Sequence, residues 1–307
     1  MVVSNVKEIE AQVEAVLAEK GPRLGKELVL DLPTVSSLAL WQACYRSRRF
    51  HVSHFASYYL RYDITRDDQV RLSPSILRDF LSFTLFGIPG QRDKMLERQG
   101  TLANVHREIS KQKIAVAQDS INSLLNQLSK SVREKICAFV AGDLAYYLAH
   151  NEPREHVATG EMVRGSDVDI IVIYQDVSDD VVKQMNDELS RLKSFYLRHP
   201  GHRHELDFIV KSQAKMESQF RYVNIHDKIA SKIAYESLFL GGSLSLYTAV
   251  RDAMTRSGVD ELIELDFDHA LKDRRHATKN LLAQTSSELD ADTRSLFHFS
   301  QERVEFS

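Results

Sequence analysis

One stretch constrains this chain more than any other: Arg164-Gly165-Ser166-Asp167-Val168-Asp169-Ile170-Ile171-Val172-Ile173-Tyr174. Val168–Tyr174 is a short apolar run, far below the roughly 20 residues that a bilayer span needs, and it reads as a buried strand. Yet it opens on two carboxylates. Side chains alternate along a strand, so Asp167 and Asp169 share a face, with Cα atoms roughly 6.5–7 Å apart. Two carboxylates at the mouth of a greasy strand are expensive unless they are solvated or bind a metal. Aspartate oxygens suit Mg²⁺, which also takes oxygens from phosphates.

The surrounding pattern supplies partners for this strand. Ile136–Ala141 is a second apolar run, ended by Gly142. Asp143–His150 reads as a short helix with Asp143 at its start, and Asn151–Arg164, with Pro153 and Gly160, as a polar loop. Ser178 is placed to cap a helix over Asp179–Tyr196 that turns Val181, Val182, Met185, Leu189 and Leu192 inward. His204–Lys211 reads as a third strand. There Glu205 and Asp207 share a face, but only Asp207 has strongly apolar neighbours on both sides, Leu206 and Phe208. Asp207 is therefore the expected third carboxylate. Three carboxylates on neighbouring strands can hold two divalent ions roughly 3.5–4 Å apart.

Residues 1–100 read as mostly helical. Ile9, Val13, Val16 and Leu17 recur at helical spacing up to Gly21-Pro22. A second helix is expected through Leu38–Tyr45. Ser73-Pro74-Ser75 marks a third start, with Leu77, Phe80, Leu81 and Leu85 behind it. From about Leu102 a long helix follows Ile114, Ala117, Ile121, Leu124, Leu125, Leu128 and Val132, and Ser131–Glu134 has the form of a capping box. The chain turns helical again from about His226. In His226–Glu236 an apolar stripe of Ile225, Ile229 and Ile233 leaves Lys228 and Lys232 together on another face, with Glu236 as an available i,i+4 partner.

Composition excludes some classes. Forty basic and 43 acidic side chains give a formal charge of -3, so the chain as a whole is no electrostatic binder of polyanions. Leu40–Gly100 is locally basic, with ten basic residues, nine of them Arg, against six acidic ones. Tyr45, Phe50, Phe55, Tyr58, Tyr59 and Tyr62 are interleaved. Such a stretch suits either single-stranded nucleic acid or a helical domain whose arginines lie over apolar surface, and the second reading is favoured. His199, His202 and His204 cluster around Pro200-Gly201; no further Cys or His completes a zinc set, so they read as loop histidines. Two cysteines, Cys44 and Cys137, no signal-peptide pattern and no membrane-length apolar segment give the expectation of a cytoplasmic protein without a membrane partner.

The order of helix, strand ending at Val140-Ala141-Gly142, helix, strand opening at Gly165-Ser166-Asp167-Val168-Asp169, helix and strand bearing Asp207 resembles the nucleotidyltransferase superfamily with the polymerase-β-like palm. The run from Arg164 through Asp169 looks like the minimal nucleotidyltransferases of bacterial toxin–antitoxin systems, their larger toxin relatives and the aminoglycoside-modifying enzymes. The likeness covers about Ser131–Lys211. It implies an α+β fold, a small mixed sheet forming the palm, with N-terminal and C-terminal helical regions and boundaries at 1–115, 116–215 and 216–307. It implies Mg²⁺ or Mn²⁺ on Asp167, Asp169 and Asp207, a nucleoside triphosphate as donor, and an RNA 3′ end or a protein, before a small molecule, as acceptor. By the same likeness Gly142 and Asp143 form the phosphate turn, Ser166 belongs to a second Gly-Ser pair adjoining the carboxylates, and Lys228 or Lys232 reaches a phosphate. The sequence departs from the family pattern in two places: Asp143 stands where a Ser is usual, and 151–164 is an insertion at the rim. Two rivals stand beside this reading. One is a degenerate palm serving as a nucleotide-binding, nucleic-acid-binding or scaffold module. The other is a glycosyltransferase with an Asp-x-Asp metal site, which is disfavoured because only one strand and a short helix precede the motif.

Overall fold

The computed structural model describes residues 6–63, 69–156, 158–284 and 296–297. The fold is α+β, and the chain divides into two compact units. The first takes in the chain up to Tyr59, Arg71–Val105 and the stretch from His269; the second takes in Leu60–Val70 and His106–Asp268.

In chain order the first elements are α1 (Val6–Lys20), β1 (Arg23–Leu24), α2 (Gly25–Asp31), α3 (Ser37–Arg46), β2 (His51–His54), β3 (Tyr59–Asp63), β4 (Gln69–Ser73), α4 (Ile76–Arg78), β5 (Thr84–Gly87) and α5 (Arg92–Asn126). α1 and α3 lie where helical spacing places them. Ile9, Val13 and Leu17 are buried against Leu40 and Trp41, and Ser36 caps α3 by accepting from the Ala39 N–H at 3.3 Å. Elsewhere the mostly helical expectation is corrected, because five short strands interrupt this region. The helix after Ser75 lasts only three residues. It widens into a π-turn over Asp79–Phe83, and Leu85 sits on β5, paired with β1 and β2. Phe83-Thr84-Leu85-Phe86 favours a pleated conformation. The wide turn also buries Asp79 among His54, Tyr58 and Arg274 at 2.7–2.8 Å. Arginine-interleaved aromatics point inward: Phe50, Tyr59 and Tyr62 are buried, and Tyr45 packs on Trp41. These four rings form no exposed stacking row.

The second unit is built on α6 (Lys130–Arg133), β6 (Ile136–Val140), β7 (Pro153–Glu155), β8 (Met162–Arg164), β9 (Val168–Tyr174), α7 (Asp179–Arg198), β10 (Leu206–Ser212), α8 (Gln213–Gln219), α9 (Ile225–Glu236), β11 (Leu238–Gly242), α10 (Leu244–Ser257) and α11 (Val259–Ala283), whose residues from His269 belong to the first unit. A four-stranded mixed sheet has the order β10-β9-β6-β11, with only β9 and β10 parallel. One face is the core. Val168, Ile170, Val172 and Leu206 meet Ala117, Ile121 and Leu124 of α5 and Met185, Leu189 and Leu192 of α7. Alternation therefore turns Asp167, Asp169 and Ile171 to the other face.

Several expectations are corrected here. The helix expected over Asp143–His150 is a single 3₁₀ turn, Gly142–Leu144, and Ala141 rather than Asp143 holds its cap position. The polar loop 151–164 contains the β7–β8 hairpin, with Arg154 opposite Val163. Ser129, not Ser131, precedes α6. β11 follows α9 where continuous helix was expected. Its Gly242 takes φ +86°, and an added Cβ would collide with the Ile136 carbonyl oxygen, which explains a glycine that reads locally as a breaker.

Candidate metal and phosphate site

β9 and β10 run in parallel register, with Asp169 opposite Asp207 and Val168 opposite Leu206. The Val168 N–H donates to the Glu205 carbonyl at 2.9 Å, which extends the pairing to the strand mouths. Asp167, Asp169, Glu205 and Asp207 thus lie on the face away from the core. Carboxylate oxygens of Asp167, Glu205 and Asp207 approach within 4.8 Å of one another. Glu205 joins the three acids expected from the sequence.

This acidic group is already partly neutralised. Arg154 of β7 pairs with Asp167 and, at 2.7 Å, with Glu205, while its Nε donates to the Gly165 carbonyl at 3.0 Å. His156 Nε2 lies 3.3 Å from the other Glu205 oxygen. Lys193 of α7 pairs with Asp207. Asp169 makes no ion pair among the described residues. It opens into a pocket of about 440 Å³ lined also by Arg61, Tyr62, Gly142, Asp207, Lys232 and Glu236. Asp169 is exposed to the pocket's solvent, but protein crowds its carboxyl on the other sides. That partial desolvation, with the charge of Asp207, pushes its pKa up to about 6.

Beside Asp169, Gly142 takes φ +70°, and an added Cβ would stand 3.4 Å from Asp169 Oδ2. A side chain there would strain the backbone, because φ lies in the left-handed region. The Gly142 N–H donates to Glu236 Oε1 at 2.8 Å, and Lys232 Nζ donates to the same oxygen at 2.6 Å. An amide at a turn and an ammonium thus converge on one anionic oxygen. Glu236 is buried, and that burial raises its pKa.

Of the other sequence-derived candidates, Asp143 and Ser166 bond to each other. The Ser166 hydroxyl donates to Asp143 Oδ2 at 2.9 Å and accepts from the His150 N–H at 3.2 Å. Neither lines the pocket. Asp143 is therefore a tie between the 3₁₀ turn and the approach to β9. Asp143→Ala is expected to lower stability by about 2 kcal/mol in urea denaturation, the range for losing a hydrogen bond to a charged group; an unchanged midpoint would contradict this role. Lys228 also stands outside the pocket lining, 3.3 Å from Asp266 and 5.0 Å above the Tyr222 ring. The histidines at 199, 202 and 204 form no metal group among the described residues.

Arg154, Glu205, Glu236 and Lys113 also stand at the site, although local sequence pattern does not mark them as site residues. The Lys113 ammonium, on α5, is 1% exposed and donates to the carbonyls of Arg164 and Ser166 at 2.6 and 2.7 Å. It ties down the segment that leads into Asp167.

The donor set fits a hard divalent cation: every candidate ligand is a carboxylate oxygen, and Asp169 and Asp207 stand opposite each other in the lining of one pocket. Among the described residues no helix is long and apolar enough to cross a membrane. Comparison of the sequence with protein-family models finds no matching family, and no curated protein is significantly similar to it.

Proposed function

We propose that this chain is a Mg²⁺- or Mn²⁺-dependent nucleotidyltransferase, with β6, β9 and β10 as its palm. The observation that carries the reading is the parallel register that sets Asp169 beside Asp207 in the lining of one pocket. Asp169 and Asp207 supply the carboxylates for the divalent cation, with Asp167 beside them at the strand mouth. When bound, the cation screens the triphosphate and polarises the oxygens that attack and leave. Gly142 N–H and Lys232 Nζ converge close to Asp169 in the same pocket lining, where they suit a phosphate oxygen. An acceptor hydroxyl then attacks the α-phosphorus in line. Its O–P bond forms as the bond to pyrophosphate breaks, and its proton passes to Asp207. Catalysis is mostly positioning and charge neutralisation. An RNA 3′ end or a protein hydroxyl is the proposed acceptor.

The test has two arms. Titration calorimetry with a nonhydrolysable triphosphate and Mg²⁺ reads binding, and labelled NTPs incubated with cell extract read transfer, with Asp169→Asn as the control. Binding and Asp169-dependent labelling support the reading; label that persists in the control sinks it.

A second reading is favoured by Glu236 holding both the Gly142 amide and Lys232: a degenerate palm that binds without turning over. Glu236→Gln separates the two. Removing the negative charge that competes with phosphate is expected to lower the triphosphate dissociation constant roughly tenfold, ~1.4 kcal/mol. If affinity stays unmeasurable in both proteins, the Gly142 amide and Lys232 form no phosphate site.

A further inference from the structure

The charges around the acidic group divide unevenly. Lys193 and Asp207 are 38% and 43% exposed, a solvated pair that exchanges readily with other ions. Arg154 is different. Its side chain is 9% exposed and is held at three points: the Asp167 carboxylate, Glu205 and the Gly165 carbonyl. A guanidinium stays protonated at any working pH, and its planar fork matches carboxylates. The hairpin of β7 and β8 thus inserts a permanent positive charge between the mouths of β9 and β10, beside the gap where Asp167, Glu205 and Asp207 approach one another. A divalent ion taking Asp167 and Glu205 there would have to strip Arg154 of both carboxylates, leaving a buried guanidinium paired only with a carbonyl. That arrangement is strongly unfavourable. Asp169, which lies inward on the same face, makes no ion pair among the described residues.

We propose that Arg154 is a resident countercharge that fills one of the two cation positions, so that the site takes a single divalent ion, on Asp169 and Asp207. The inference rests on the metal-dependent reading above and refines it. Arg154 acts through Asp167 and Glu205 and is a positioning residue: it replaces an exchangeable ion by a fixed one and leaves only the inner position for Mg²⁺ or Mn²⁺.

Counting Mn²⁺ on the purified full chain tests this, by the loss of the free-ion paramagnetic resonance signal on titration with Mn²⁺ alone. The wild-type protein is expected to bind one Mn²⁺, Asp169→Asn none, Arg154→Lys one and Arg154→Met two. Two ions on the wild type, or one on a folded Arg154→Met, would overturn the proposal while leaving the metal-dependent reading in place. No ion on any of the four proteins would overturn both. Should Arg154→Met fail to fold, the wild-type count together with the Asp169→Asn count still decides.

Discussion

Asp169→Asn is expected to reduce nucleotidyl transfer by roughly a thousandfold while making the metal-free protein more stable. The first effect follows from the register. Asp169 faces Asp207 on the neighbouring parallel strand and opens into the pocket, so under the proposed function its charge would hold the cation against the triphosphate. Stabilisation of transition-state charge by a metal is worth several kcal/mol, and ~4 kcal/mol is about three decades in rate. The second effect follows from the raised pKa. Partial desolvation first, and Asp207 next, lift the carboxyl from 3.8 to about 6. The folded protein therefore binds this proton more tightly than the unfolded chain. Stability from this group is fully present below pH 4 and is lost as pH rises through 6. The neutral amide of the variant carries no such penalty, so thermal melting in a chelator should show the variant ahead of wild type above pH 6, with the gap closing near pH 4. Collapse of the metal-free variant at neutral pH would make Asp169 a structural residue and remove the basis of the metal site.

How far the sequence reveals this arrangement depends on the range of the interaction. The β9 strand can be read at its full length, because apolar continuity is local, and alternation then places Asp167 and Asp169 on one face without further information. Asp207 is legible for the same reason. Its choice over Glu205 is less clear-cut in the folded protein, because pairing of the strand mouths brings Glu205 into the same group of oxygens. The residues around the acids are a different matter. Arg154 lies in a segment whose composition is that of a loop, and its three-residue strand exists only through pairing with β8 and contacts 13 and 51 positions away. Glu236 meets the Gly142 amide across 94 positions. On its own helix it reads as the i,i+4 partner of Lys232, which is true and hides the second contact. At Leu85 the local pattern misleads outright: the apolar spacing after Ser75 is helical, but pairing with β1 and β2 overrides it.

Lys113 gives the largest expected effect on stability. Lys113→Met keeps the length of the side chain and removes its donors. It orphans the part-buried carbonyl of Arg164 and the buried carbonyl of Ser166, each worth about 1–3 kcal/mol when left unpaired, and it relieves the burial of one charge. A net loss of about 1 kcal/mol at pH 7, growing to about 3 kcal/mol at pH 9.5, is expected from urea denaturation. The pH dependence identifies the cause. Burial first, and the nearby Arg154 charge next, lower the Lys113 pKa from 10.5 to about 8. The unfolded chain therefore holds this proton more tightly, and the penalty for a buried ammonium is full below pH 8 and fades as pH rises towards 10.5. Between pH 7 and 9.5 the wild-type protein should gain about 2 kcal/mol relative to Lys113→Met, at ~1.4 kcal/mol per pKa unit. A constant difference over that range would mean that Lys113 is as well solvated folded as unfolded. The tie also reaches the site. Arg164–Ser166 runs directly into Asp167, and a displacement of about 1 Å in a reacting group can lower a rate a hundredfold. Activity in the variant should therefore fall further than its folded fraction does.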